Sequence, residues 1–315
     1  PKKSLGIGLA GFGTVGTGVW ETFERNAELI SNRSDVQVDI VRIAVRDLSK
    51  ARIDGVSGDK FTTNWQDVVD DTDVDIVVEL IGGTDTAFDI VAAALRAGKP
   101  VVTGNKALLA ERGQELFELS KQCDTPIHFE AAVAGGIPII KTVQDSFVGN
   151  SIQSMVGIIN GTSNYILERM TDAGLGYEEA LGEAQQLGYA EADPTLDVNG
   201  WDAAHKAILL ATLAYGFTVD PDDVYVRGIE RVRGTDIDFA KRLGFVVKLL
   251  CVVREHPEGV IEIRTQPSFI PQSHILSSVN GVFNAVAVRG DAAGDSLFYG
   301  RGAGKDPTAS SVVAD

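Results

Sequence analysis

Hydrophobic and polar positions follow two different rhythms along this chain, and the rhythm changes near residue 135. Before that point short apolar runs alternate with helical periodicity. Leu5–Ala10 is a short apolar strand, and Val15, Val19, Trp20, Phe23, Ala27 and Ile30 recur at helical spacing, which predicts a helix over Val15–Ile30. Val38–Val45 is rich in β-branched residues and predicts a strand. Val74–Ile81 is a continuous apolar run, the pattern of a strand covered on both faces. A helix over Phe88–Ala97 closed by Gly98, a strand at Pro100–Thr103, a helix over Ala107–Cys123 and a strand at Ile127–Ala131 follow. Strand and helix in this alternation predict a parallel sheet with helices on both faces.

Beyond residue 135 the order is less regular. Pro138 suits the start of a helix over Ile139–Phe147. A strand at Ile152–Ile159 precedes three helices, Asn164–Ala173, Tyr177–Leu187 and Trp201–Tyr215. A further helix over Phe239–Leu249 and strand-like runs at Val260–Thr265 and Gly281–Val288 complete a second, α+β domain. Gly300–Asp315 is glycine-rich, then helical, and stops in mid-helix without a cap, as a helix that frays or one that continues in a longer chain would. The expected fold is α/β, with an N-terminal Rossmann-type domain over 1–135, to which 300–315 returns, and a second α+β domain for substrate and dimerisation over 136–299.

Composition narrows the partners. The chain has 315 residues, 44% of them hydrophobic and 23% charged, ordinary values for a globular protein. The net charge of −16 argues against a nucleic-acid partner. No apolar run reaches the roughly 18 residues of a membrane helix, and the first residues show no leader pattern, so a cytoplasmic enzyme is expected. Cys123 and Cys251 fall in helical or apolar contexts, where two reduced thiols are expected rather than a disulfide. No cysteine–histidine cluster has zinc spacing.

The hexad Gly11-Phe12-Gly13-Thr14-Val15-Gly16 follows the first strand and opens the first helix, the context in which G-x-G-x-x-G marks a dinucleotide site. Gly11 permits the tight turn, Gly13 lets backbone approach a pyrophosphate, and Gly16 lets helix and strand pack closely. The helix N-terminus adds amide donors and partial positive charge. At the end of the second strand, where NAD enzymes carry an acid for the ribose, stands Arg46, whose planar fork suits a 2′-phosphate; Lys50 lies one turn on. NADP(H) is therefore expected in preference to NAD(H), with Asp47 the alternative ribose ligand if the strand ends one residue later. Gly82-Gly83-Thr84 and Thr103-Gly104-Asn105-Lys106 leave strands on the same side, which puts Lys106 near the nicotinamide end. A lysine at a helix start opposes the helix dipole, a placement that asks for a functional reason.

The richest stretch of chemistry runs from Leu187 to Lys206, with Glu191, Asp193, Asp197 and Asp202 ahead of Lys206. The helix Trp201–Tyr215 is apolar almost all round, so it is expected to be buried. Asp202 and Lys206 are four apart and share a face; on a buried helix they form more than a solvated surface pair. A buried lysine can deliver a proton to an alkoxide that develops as hydride reaches a carbonyl carbon. Glu191 and Asp197 could hold a substrate ammonium; Glu191, Asp193 and Asp197 as metal ligands is the lesser alternative, and His205 is read as packing.

The chain resembles the homoserine dehydrogenase family. The resemblance rests on Ala184-x3-Gly188-Tyr189-Ala190-x2-Asp193-Pro194-x2-Asp197-Val198-x-Gly200-x-Asp202-x3-Lys206, on Asn160-Gly161-Thr162-x-Asn164-Tyr165-Ile166-Leu167, on Thr103–Lys106 and on Glu130–Pro138, in family order over essentially the whole chain. It implies interconversion of L-aspartate 4-semialdehyde and L-homoserine, on the route to threonine, methionine and isoleucine. It implies Lys206 as proton donor with Lys106 beside it, Glu191 on the substrate amino group, and Asp197 and Asp202 in the same pocket. It implies a monovalent cation, Na+ or K+, on Glu130 and the carbonyls of Val133, Gly135 and Ile137, with Gly302 closing over the cofactor and a homodimer formed through the second domain. Many members carry a C-terminal regulatory domain of the ACT type, and these 315 residues contain none. Rival readings are a Rossmann dehydrogenase acting on another semialdehyde or amino acid, and a dinucleotide sensor without activity. A phosphorylating semialdehyde dehydrogenase needs a nucleophilic cysteine, for which neither cysteine is well sited. Asn160-Gly161-Thr162 also reads as a glycosylation sequon, out of place in a cytosolic chain.

Overall fold

The computed structural model describes residues 3–49 and 55–315, and the chain divides into two compact units, residues 1–136 with 304–315, and residues 137–303. Lys50, invoked above beside Arg46, lies outside the described residues.

The first unit is built from β1 (Lys3–Ala10), α1 (Thr14–Ser34), β2 (Val36–Ala44), β3 (Phe61–Thr62), α2 (Gln66–Val69), β4 (Ile76–Glu79), α3 (Asp85–Arg96), β5 (Val101–Thr103), α4 (Lys106–Cys123) and β6 (Ile127–His128). Its strands form a parallel sheet in the order β3-β2-β1-β4-β5-β6, the doubly wound arrangement. Both faces are covered, as the apolar runs require. Ile90, Leu95, Leu108 and Leu116 of α3 and α4 pack on one side. Val19 and Trp20 of α1, with Ala309 and Val312 of the chain's last helix, pack on the other. The strand expected at Ile127–Ala131 is shorter, because the backbone turns into a 3-10 turn at Glu130–Ala132.

The second unit contains α5 (Ile139–Lys141), β7 (Ile152–Ile158), α6 (Gly161–Asp172), α7 (Tyr177–Gln186), α8 (Thr195–Val198), α9 (Trp201–Tyr215), β8 (Tyr225–Val226), α10 (Gly234–Arg242), β9 (Phe245–Glu255), β10 (Ile261–Pro271), β11 (Phe283–Gly290) and β12 (Gly294–Arg301). The last helix, α11 (Lys305–Ala314), belongs to the first unit. The sheet runs β12-β11-β7-β9-β10-β8 and is antiparallel except where β8 joins β10.

Two expectations fail here for one reason. The helix predicted over Phe239–Leu249 is split: α10 ends at Arg242, Gly244 turns the chain at φ 80°, and β9 begins at Phe245. Cys251 therefore lies in a strand, not a helix. An apolar run from Phe245 to Val253 has no periodicity that separates a buried strand from a buried helix. Here the β-branched Val246, Val247, Val252 and Val253 favour the strand. Strand β12, which closes the edge of the sheet, lies mostly ahead of the glycine-rich segment expected from Gly300, with only Gly300 and Arg301 inside it.

Candidate active site

Three strand ends of the first unit lie side by side. Ala10 of β1 is in register with Glu79 of β4, and Glu79 with Thr103 of β5. The glycine loop leaves the first of them. Gly11 adopts φ 104°, and a Cβ there would lie 2.6 Å from the Leu80 carbonyl oxygen. A Cβ at Gly16 would lie 2.3 Å from the Gly11 carbonyl oxygen, so the first turn of α1 can approach the loop only as glycine. Gly13 is different: nothing in the protein lies within 4 Å of its missing Cβ. Open space on that side, at the N-terminus of a 21-residue helix, fits an approaching pyrophosphate. Phe12 is buried against Phe61, Thr14 is exposed at the helix start, and Val15 is half-buried.

Glu79 is wholly buried. Its Oε2 accepts the Thr103 hydroxyl at 2.6 Å and its Oε1 accepts the Ile81 N–H at 2.8 Å. Burial pushes the Glu79 carboxyl up, against the pull of these hydrogen bonds. Thr103 Oγ1 in turn accepts the Asn105 N–H at 3.0 Å. Asn105 caps α4, its Oδ1 accepting from Leu108 N, while its Nδ2 donates to the Gly83 carbonyl at 2.7 Å. Lys106 is the first residue of that helix, so a chain of hydrogen bonds from Glu79 fixes the backbone that presents it. The Thr103 hydroxyl is used inside this network, which leaves the backbone as what Thr103 offers a ligand. The run Val74–Ile81 holds two acids, Asp75 and Glu79, and the second of these, inside a buried strand, is the signal for this network that the apolar pattern hides. Arg46 stands exposed just past the end of β2, and Asp47 Oδ1 accepts both the backbone N–H and the hydroxyl of Ser49.

Glu130, Val133 and Gly135 are buried in the first unit. Ala134 and Gly135 both take left-handed φ, 55° and 53°, which turns successive carbonyls. The Gly135 carbonyl accepts the Ser311 hydroxyl at 2.6 Å, and the Glu130 N–H donates to Asp315. Ile137, first residue of the second unit, is buried and its carbonyl accepts from Ile139 N. Gly302 is in the second unit, its Cα covered by the Asn284 carboxamide: a Cβ there would lie 1.9 Å from Asn284 Nδ2.

In the second unit Lys206 Nζ donates to Asp202 Oδ2 and to the Ile159 carbonyl oxygen, each at 2.8 Å. The two side chains are 13% and 12% exposed, so this is a buried pair, not a solvated one. Asn160 Nδ2 donates to Asp202 Oδ2 at 2.8 Å and to Asp197 Oδ1 at 2.7 Å. Burial, seconded by the Asp202 charge, pushes the Asp197 carboxyl up, and the Asn160 amide pulls it back. Asp197, Asp202 and Lys206 are thus brought together, with Asp202 in the first turn of α9, where the helix dipole favours an anion. Glu191 and Asp193 are not part of this cluster: Glu191 is exposed in the turn before α8, and Asp193 Oδ1 accepts from the backbone and hydroxyl of Thr195 at the start of that helix. No cluster of three metal-ligating side chains of the His, Cys, Asp and Glu kinds exists among the described residues. His205 packs against Trp201, with ring centroids 5.6 Å apart and the planes tilted by 44°. Cys251 donates toward the Ala203 carbonyl at 3.3 Å and is pushed up to about 12 by burial, which makes it a packing residue.

Comparison with known proteins agrees with this layout. Residues 138–315 match the profile of the homoserine dehydrogenase family, and residues 11–130 match that of the homoserine dehydrogenase NAD binding domain. The chain is 45% identical over 313 residues to the homoserine dehydrogenase of Pseudomonas aeruginosa, covering 99% of this chain and 71% of that protein. A crystal structure of a homoserine dehydrogenase from Thiobacillus denitrificans superposes with a TM-score of 0.95 at 47% identity, over 99% of this chain and 72% of that one. A hyperthermophilic archaeal homoserine dehydrogenase in complex with NADPH superposes with a TM-score of 0.83 at 27% identity, over 99% and 96% of the two chains. With both units matched in this way, the chain belongs to the homoserine dehydrogenase family, NAD(P)-dependent oxidoreductases that act on a CH–OH group.

Proposed function

We propose that this enzyme interconverts L-aspartate 4-semialdehyde and L-homoserine with NADP(H) preferred over NAD(H), in the cytoplasm, on the route to threonine, methionine and isoleucine. The observation that carries the reading is the buried Asp202–Lys206 pair. An ammonium has three hydrogens. Two are used on Asp202 and the Ile159 carbonyl, and the third is left for a substrate oxygen. The bound nicotinamide supplies or takes the hydride. Lys206 donates the proton to the carbonyl oxygen in reduction and takes it back in oxidation, while Asp202 holds the ammonium in place. Glu191, which stands outside the Asp197–Asp202–Lys206 cluster in the exposed turn before α8, binds the substrate ammonium from there, with Asp197 and Asp202 lining the pocket, and Lys106 acts at the nicotinamide end of the first unit.

Gly11, Phe12, Gly13, Thr14, Val15 and Gly16 hold the pyrophosphate, with Thr103 and Gly302 as further cofactor contacts. The preference for NADP(H) is supported by Arg46 at the end of β2 and by the engagement of Asp47 with Ser49. The NADPH complex of the archaeal relative is consistent with it. Glu130 and the carbonyls of Val133, Gly135 and Ile137 are hard oxygen donors of the kind that suit Na+ or K+. A homodimer through the second unit is supported by the side of its sheet away from α9. That side has a groove of about 500 Å³ lined by Val156, Leu250, Ile270 and Leu297, with Ile275 59% and Tyr299 55% exposed beside it. Among the described residues no helix is long and apolar enough to cross a membrane.

The test is the absorbance of reduced nicotinamide with L-homoserine and NADP+, repeated with NAD+. Turnover with a higher kcat/KM for NADP+ is expected. No turnover of homoserine by the folded enzyme with either cofactor would refute the substrate assignment.

A further inference from the structure

We propose that Asn160, in the turn between β7 and α6, is the positioning residue of the acid–lysine cluster, its carboxamide fixing Asp197 and Asp202 relative to each other and so aiming Lys206. The proposal rests on the role given to Lys206 above. Its basis is the way one short turn reaches three separate segments. The Ile159 carbonyl accepts from Lys206 Nζ at 2.8 Å. Asn160 Nδ2 donates to Asp197 and Asp202. The Thr162 hydroxyl donates to the Tyr189 carbonyl at 2.7 Å, and the Ser163 hydroxyl to the Asp197 carbonyl at 2.8 Å.

The orientation of the amide is determined, because Asn160 Oδ1 accepts the Ser163 N–H at 2.8 Å as the cap of α6. A flipped amide would face that N–H with another donor and the two carboxylates with an acceptor. With Oδ1 anchored, each Nδ2 hydrogen meets a different carboxylate. The chemistry suits the position. Two adjacent carboxylates repel, and a neutral donor between them stabilises both without a charge that would compete with Lys206 for Asp202. An aspartate would add a third acid, and an arginine or lysine would replace the catalytic ammonium as Asp202's partner. Asn160 is 5% exposed with both amide hydrogens engaged, so the sequon it heads is closed to modification.

Asn160→Ser separates positioning from folding, because serine caps a helix about as well as asparagine. Asn160→Asp is the second variant; it also keeps the cap and loses the donor. Two readouts are taken on the full chain. In the first, kcat/KM for homoserine is expected to fall by about tenfold or more in both variants while the NADPH Kd stays within about twofold of wild type. In the second, the side-chain carboxyl 13C resonance of Asp197 in ligand-free enzyme is followed with pH. Asp202 and Lys206 of α9 are the charged groups that face it, with Asn160 and Thr162 as neutral donors. Loss of the amide is expected to move its midpoint to higher pH, a change that a purely structural role would not produce. Turnover within about twofold of wild type, or an unmoved Asp197 midpoint in a variant with wild-type urea unfolding, overturns the proposal. Absence of homoserine turnover in the wild type would count against the proposed function alone, and the Asp197 titration would still decide the role of Asn160.

Discussion

Lys248 provides a quantitative test of how the second unit is held together. It lies on β9, 3% exposed, and donates to the Val279 carbonyl at 2.6 Å, Asn280 Oδ1 at 3.0 Å and Asn164 Oδ1 at 3.1 Å. It thereby ties the segment before β11 to α6, the helix whose cap is Asn160. Burial lowers its pKa from 10.5 to about 8, against the pull of Glu168 and Asp172. A lysine whose folded pKa is depressed binds fewer protons in the folded state than in the unfolded state between those two values, so its contribution to stability rises with pH through that window. With a folded pKa of about 8 and an unfolded value of 10.5, the rise between pH 7 and pH 10 is about 2–3 kcal/mol, a sizeable share of a typical stability of about 5–15 kcal/mol. The measurement stops at pH 10 because Tyr177 and Tyr215, raised to about 12, make stability fall with pH above the ordinary tyrosine value. Urea unfolding of wild type and Lys248→Met at pH 7 and pH 10 isolates the lysine as the difference of two differences. The wild type should gain about 2–3 kcal/mol relative to the variant between the two pH values. An equal change in both proteins would refute the claim that Lys248 is a desolvated ammonium at neutral pH.

Other consequences of the geometry are open to direct measurement. Gly13→Ala has room for its methyl and a negative φ, so it should unfold like wild type in urea yet bind NADPH at least about tenfold more weakly, whereas Gly16→Ala meets the Gly11 carbonyl and should lose about 1–3 kcal/mol of stability. Glu79→Ala leaves the Thr103 hydroxyl and the Ile81 N–H without their acceptor and should cost about 2 kcal/mol or more in urea unfolding; a loss below about 0.5 kcal/mol would mean that Glu79 does not organise the β4 and β5 ends. Arg46→Ala should weaken NADPH by about tenfold or more in equilibrium binding with NADH nearly unaffected, and equal losses for the two would remove the 2′-phosphate role.

The parts of the fold that local rules determine were legible from the chain. Two glycines of the hexad, Gly11 and Gly16, stand where a Cβ would meet backbone, as the spacing predicts, and the side of Gly13 is open. Asp202 and Lys206 were legible because on a helix apolar on all sides two opposite charges one turn apart are each other's nearest ionic partner. What was not legible depends on contacts distant in sequence. Phe245–Val253 became a strand because β7 and β10 were there to pair with it. Glu79 gained its meaning from Thr103 on the neighbouring strand, and Lys248 from the Val279–Asn280 segment. Asn160 was visible only as part of a motif, since its link to Asp197 and Asp202 spans 37 and 42 residues. The four acids between Leu187 and Lys206 looked like one cluster in sequence. The backbone sorts them instead: Asp193 to a helix start, Glu191 to an exposed turn, and Asp197 with Asp202 to the buried pair.

The most direct test of Lys206 as the residue that moves the proton compares turnover with cofactor binding in Lys206→Met. With saturating L-homoserine and NADP+, kcat should fall by about 10²–10⁴-fold, the range for loss of a general acid–base group, while the NADPH Kd measured by fluorescence stays within about twofold of wild type. A Lys206→Met enzyme that binds NADPH normally and oxidises homoserine at close to the wild-type rate would contradict the assignment.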